Sequence, residues 1–269
     1  MDTCGQHAGG RTTLIVTLAA AGAHHFGKQD DPPVARAIME TLKRERPGRY
    51  DLLTVPDDAT GNDPTQAKML AEHIISAAKR HGIRRVIVAL AKSAQHLADE
   101  LAKLVDIPDT VFLAVDLGRF GCYNLPLPEH LTVACMDWRM HGADGGLLAA
   151  LERAYGPGAY SLLTMAGGAK WAADPSSPRG AYLIDYLARA VHDSTPLTQV
   201  HLTIHMDCGG YGGDEAFRSF DEQLDRLTAD LRASHANVER AIAKARWGAR
   251  VTAGIVELRD GRVSRIIKI

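Results

Sequence analysis

"PGRYDLLTV", Pro47 to Val55, returns as "PGAYSLLTM", Pro157 to Met165, with six of nine positions identical. One match of this size settles little, so its neighbours decide. Upstream, "TLIVTLAAAGAHH" (Thr13–His25) carries the hydrophobic pattern of "HLTVACMDWRMHG" (His130–Gly142). Downstream, Asp63-Pro64 is answered by Asp174-Pro175, and "RVIVALAKSA" (Arg85–Ala94) by "VHLTIHMDC" (Val200–Cys208). Last, "VFLAVDLGR" (Val111–Arg119) is answered by "VTAGIVELRDGR" (Val251–Arg262). The order never changes, and the spacing shifts only at the last pair, after a long helical stretch. A colinear series of this kind reads as two copies of one unit. The proline-punctuated "NLPLPEH", Asn124 to His130, divides them, giving domains over 1–128 and 129–269.

Each unit reads as α/β. Short β-branched runs predict strands at Thr13–Leu18, Tyr50–Val55, Arg85–Leu90, Thr110–Val115, Leu131–Cys135, Ser161–Met165, Gln199–His205 and Val251–Leu258. Helical spacing predicts helices at Val34–Arg46, Thr65–His81, Gln95–Leu104, Gly145–Tyr155, Gly180–His192 and Asp214–Ala245. This alternation points to a mainly parallel sheet flanked by helices. Several strands are almost unbroken apolar runs, as expected where both sheet faces are covered.

The composition narrows the class. With 46% hydrophobic and 23% charged residues in a chain of 269, two modest globular domains can each bury a core. A net charge of -1 gives no electrostatic case for nucleic acid or an acidic membrane surface. No apolar run approaches the ~20 residues of a membrane helix. The start, "MDTCGQHAGGRTTLIVTLAAAGAHH", reads as a first strand rather than a signal peptide, so the cytoplasm is the expected compartment. The widely spaced Cys4, Cys122, Cys135 and Cys208 then read as free thiols or metal ligands, not as a disulfide framework.

Chemistry concentrates in the second half. Cys135 falls at the carboxyl end of a predicted strand, where open α/β sheets place ligands. His205 and Cys208 close another. Thiolate and imidazole are the ligands zinc prefers, and two Cys with one His leave one tetrahedral position open, as in catalytic sites. Asp137 and Arg139 follow Cys135 on the loop leaving the strand. A carboxylate there could accept a hydrogen bond from a zinc-bound hydroxide, with the arginine keeping it ionised and oriented. Alone, Cys135 reads equally as a small buried hydrophobe and His205 as a strand-end histidine. Their joint spacing favours a ligand set. Gly209, Gly210, Gly212 and Gly213 suit a sharp turn into a helix near Asp214, and their amides could also meet an anion. His24, His25 and His141 read as loop histidines, Cys4 and His7 as part of an N-terminal tail, and Cys122 as buried.

These motifs resemble the β-class carbonic anhydrases. "CMDWR" is similar to that family's C-x-D-x-R, "HMDCGG" to its H-x-x-C-G, and "MAGGA" (Met165–Ala169) to the Ala-Gly segment between them. The closing "GIVELRDGRVSRI" resembles its final strand, turn and strand. The resemblance covers Glu129 to Ile269. It implies zinc on Cys135, His205 and Cys208, a dyad of Asp137 and Arg139, and Ala166, Gly167, Gly168 and Gly209 lining the substrate. It implies reversible hydration of carbon dioxide to bicarbonate by a zinc-bound hydroxide. Thr164 and Met165 stand where the family carries Arg-Asn.

Members of that family pair with active sites near the subunit interface. Here the first half aligns Leu18, Ala20 and Gly22 with Cys135, Asp137 and Arg139, and Ala91 and Ala94 with His205 and Cys208. The expectation is a fused pseudo-dimer of two β-carbonic-anhydrase-like units, with one zinc site and one degenerate half; a homodimer of pseudo-dimers remains open. Two rival functions share these residues: hydrolysis of a carbon dioxide analogue such as carbonyl sulfide, and a zinc-binding scaffold without turnover.

Overall fold

A computed structural model describes residues 13–18, 50–55, 64–91, 95–115, 129–140, 146–158, 160–193, 197–245 and 248–269. The chain divides into two units, Met1–Leu125 and Pro126–Ile269. The expected helix at Val34–Arg46, together with Cys4, His7, Ala20, Gly22, His24, His25, Ala94, Cys122 and His141, lies outside the described residues.

The first unit places β1 (Thr13–Leu18), β2 (Tyr50–Val55), α1 (Pro64–His81), β3 (Arg85–Ala91), α2 (Gln95–Leu104) and β4 (Asp109–Val115). The strands form a parallel sheet in the order β2-β1-β3-β4. Central β1 and β3 bury Leu14, Ile15 and Val16, and Val86, Ile87 and Val88, which explains their unbroken apolar runs. Helix α1 buries Ala67, Leu70, Ala71, Ile74, Ala77 and Ala78, spaced three and four apart along one stripe.

The second unit follows with β5 (His130–Cys135), α3 (Gly146–Tyr155), β6 (Tyr160–Met165), α4 (Pro178–Asp193), β7 (Gln199–His205), α5 (Phe220–Lys244), β8 (Arg250–Arg259) and β9 (Arg262–Lys268). Its sheet has the order β6-β5-β7-β8-β9. The first four strands run parallel, and β9 returns antiparallel to β8. Asp260 and Gly261 make that return, with φ of 51° and 71°. Positive φ at both central residues is what a two-residue hairpin turn of this twist requires, and Asp-Gly supplies it.

Without β9, the second sheet has the strand order of the first. The registers coincide as well. Thr13 pairs with Tyr50 and Arg85, and Arg85 with Asp109. In the same way His130 pairs with Tyr160 and Gln199, and Gln199 with Arg250. Counting along these rows, Leu18 occupies the place of Cys135, and Ala91 that of His205.

One expected boundary is corrected. The helix foreseen from Asp214 begins at Phe220. Asp214–Ala216 is a separate 3-10 turn, and Phe217 is extended. The helix starts where Ser219 caps it, its hydroxyl accepting from the Glu222 N–H at 3.1 Å, while Glu222 Oε2 accepts from the Arg218 N–H at 2.7 Å. A reciprocal cap of this kind satisfies donors that the first turn leaves orphaned. Among the described residues, no helix is long and apolar enough to cross a membrane.

Candidate metal centre

In the second sheet, β5 leads out to β6 on one side, while β7 leads to β8 on the other. The chain therefore reverses direction across the sheet between β5 and β7, and ligand sites in open α/β sheets form outside the carboxyl ends at such a point. The ladder between the two strands stops at Val133 and Leu202. Beyond it the strands part, and the backbone of Gly168 fills the gap. A Cβ on Gly168 would stand 2.5 Å from the Thr203 carbonyl oxygen and 3.1 Å from the Cys135 nitrogen, and its φ is 58°. Only glycine fits there.

The parted ends carry the predicted residues. Cys135 ends β5, His205 ends β7, and Cys208 follows after a turn in which Asp207 takes a φ of 54°. All three ligand candidates are buried, and one donor atom from each lies within 4.8 Å of the others. The two Sγ atoms are 3.7 Å apart, and neither cysteine is in a disulfide. His205 Nδ1 lies 2.7 Å from the Met206 carbonyl, which can only accept, so Nδ1 carries the proton. That leaves Nε2 with its lone pair directed inward, buried and without a hydrogen-bond partner. The group could hold a metal ion.

The three donors bias one another's charge. The hydrogen bond to Cys208, together with burial, pushes the Cys135 thiol well above its usual range. The same bond draws Cys208 below its ordinary value against the opposing effect of burial, helped by the Gly210 amide and Lys170. Burial would lower the pKa of His205, yet the facing Cys135 and Asp137 reverse this and raise it. Of the three donors, only Cys208 is shifted towards its anion; Cys135 holds its proton and His205 is drawn towards the protonated form.

Asp137 and Arg139 form a pair beside this cluster. Arg139 Nε donates to both carboxylate oxygens, at 3.1 and 3.2 Å, and Nη2 donates to Oδ2 at 2.7 Å. The Arg139 backbone N–H adds a bond to Oδ1 at 3.0 Å, which the 3-10 turn over Trp138–Met140 makes possible. Asp137 Oδ2 stays 3.9 Å from His205 Nε2. Burial opposes the Arg139 charge, but Asp137 and Asp207 outweigh it and hold the guanidinium ionised.

Four supporting residues escape sequence reasoning. Asp207, between the two ligands of "HMDC", accepts from Arg139 Nη1 at 2.6 Å, and its carbonyl accepts from Nη2 at 3.1 Å. The signal was available in two facts. An arginine has donors left after one carboxylate, and aspartate is among the few residues at ease with positive φ. Lys170 donates to the Gly210 carbonyl at 2.7 Å and lies 4.3 Å from the Tyr211 ring centre. Ser234 and Asn237 of α5 donate to the carbonyls of Ala169 and Ala172, at 2.8 and 2.9 Å, and brace the segment that carries Gly168.

Of the four residues expected to line substrate, Ala166 and Gly167 make the turn after β6, Gly168 is the wedge, and Gly209 opens the 3-10 turn after Cys208. Gly210 packs so closely on Gly167 that a Cβ would stand 2.7 Å from its Cα. Compared with known proteins, the chain matches no family model and no curated protein.

Proposed function

We propose that the second unit is a β-carbonic-anhydrase-like zinc domain that hydrates carbon dioxide reversibly to bicarbonate. The observation that carries this reading is the Asp137–Arg139 pair, held 3.9 Å from the inward nitrogen of a buried Cys-His-Cys group. The donor set supports zinc. Two thiolates at about 2.3 Å from a tetrahedral ion stand about 3.8 Å apart, close to the 3.7 Å separation of the sulfurs. With three protein donors, one position is left for a small molecule.

Zinc, when bound, supplies hydroxide at neutral pH by lowering the pKa of a coordinated water from ~15.7 towards ~7. Arg139 keeps the Asp137 carboxylate ionised and fixed, because a guanidinium fork matches both its oxygens. Asp137 would accept a hydrogen bond from the oxygen that adds to carbon and so hold it in place. Two thiolates put more negative charge on the site than neutral imidazoles, and Arg139 and Lys170 offset it. The matching strand order and registers support the reading of the first unit as a second copy of this domain. Carbon replaces two ligands there, Leu18 for Cys135 and Ala91 for His205.

The deciding experiment measures zinc content and carbon dioxide hydration by stopped flow on one preparation. The expected result is one zinc per chain with rapid hydration. Two Cys/His-bound zinc ions per chain would overturn the one-site reading, and one zinc with no hydration would overturn the enzyme.

A further inference from the structure

The amino-terminal end of the second sheet carries a second polar site. Strand β7 runs from Gln199 to the ligand His205, so its start lies about 20 Å from the metal cluster. A cavity of about 380 Å³ opens there. Its walls include Tyr155 of α3, Gln199 of β7, Arg250 and Thr252 of β8, His235 of α5 and Lys268 of β9. Ile269 completes the wall beside Lys268, and no lining residue has an acidic side chain. Among the described residues neither Arg250 nor Lys268 has a carboxylate within ion-pair distance. Two cations from adjacent strands thus face one open space.

The floor is fixed. Thr252 Oγ1 is 2.7 Å from His201 Nδ1, and His201 Nε2 is 2.8 Å from His130 Nδ1. Tyr155 stacks on the His201 ring with 4.3 Å between centres, and Lys268 Nζ lies 5.0 Å from the Tyr155 ring centre. A buried polar row therefore holds Thr252 in place, and an aromatic face stands beside the ammonium.

We propose that this cavity binds a phosphate monoester, with phosphoryl oxygens on Arg250 and Lys268 and the organic part against Tyr155. The charge argues for a dianion, because a guanidinium fork and an ammonium pair best with phosphoryl oxygens. The volume argues for an organic part, since it falls in the range of small-molecule sites rather than of a bare oxyanion. With His201 stacked on one face of Tyr155 and the Lys268 ammonium over the ring, the edge of the ring is what meets the organic part. The site uses no atom of the metal cluster and stands or falls apart from the proposed hydration.

The test is calorimetric titration of the full chain with phenyl phosphate, inorganic phosphate and phenol. Phenyl phosphate is expected to bind saturably with one site per chain, inorganic phosphate more weakly, and phenol not at all. Arg250→Gln and Lys268→Gln, both at exposed positions that leave the fold intact by circular dichroism, should each weaken phenyl phosphate about tenfold or more. Absence of saturable binding, or binding that both variants leave unchanged, would overturn the site. Equal affinity for phenyl phosphate and inorganic phosphate would overturn the monoester assignment.

Discussion

Replacing Arg139 with Met tests stability and chemistry together. Its guanidinium ties Asp137 to Asp207 through Nε and Nη2 on one carboxylate and Nη1 on the other. Removing it leaves two carboxylates facing each other, with only 8% and 19% of their side chains exposed. Breaking a fully buried ion pair costs about 3–5 kcal/mol, and the residual exposure brings this to about 2–3 kcal/mol. For a domain of this size that is a fall of about 4–12 °C in melting temperature. The chemistry should suffer more. Asp137, no longer held 3.9 Å from His205 Nε2, can turn towards the cluster and take the position meant for a small molecule. The variant should keep its zinc and lose most hydration. Arg139→Lys, which restores charge without the fork, should recover stability more than rate. Differential scanning calorimetry, zinc analysis and stopped-flow hydration read the three quantities. A variant that melts within about 2 °C of the parent and hydrates carbon dioxide at the parental rate would refute the reasoning.

Three further outcomes are expected. Cys208→Ser should lower zinc content from one to near zero per chain by elemental analysis, with a far-ultraviolet circular dichroism spectrum like the parent's. Gly168→Ala places a methyl against the Thr203 carbonyl at positive φ and should cost about 2–4 kcal/mol in urea unfolding; a loss under about 1 kcal/mol would show that the wedge can shift. His201 should make the second unit sensitive to acid. Burial, with His130 and Arg250, lowers its pKa from 6.5 to about 3, so between these values the unfolded chain holds a proton that the folded one refuses. Stability then falls as pH drops through that window, by up to about 1.4 kcal/mol per pH unit, and levels off below it. Urea unfolding across pH should show this slope, and His201→Gln should flatten it.

The strands were legible because their physics is local. Runs such as "TLIVTL" and "HLTVAC" are apolar on both faces, and no other short element accommodates that. The ligand candidates were legible because sheet topology sends strand ends to one place, so residues as distant as Cys135 and His205 could be joined on paper. The start of α5 lies later than the glycine turn suggests, because the Ser219–Glu222 cap, and not the turn, sets it. The roles of Asp207, Lys170 and Ser234 depend on which loop lies across from which, and no spacing encodes that. The row from His201 to Thr252 exists only once the β7–β8 register sets these two side by side.

The parting of β5 and β7 beyond Val133 and Leu202 also bears on the order of events in assembly. The paired residues up to that point, with Val133, Val200 and Leu202 fully buried, draw the strand ends together through hydrophobic burial. Sulfur atoms 73 positions apart are thereby brought near each other. Joining such distant points restricts an unfolded chain by about 4 kcal/mol when a cross-link must do it alone. Here the sheet has already closed the loop. On the proposed reading, sheet closure would then carry an entropic cost that small zinc domains leave to the ion.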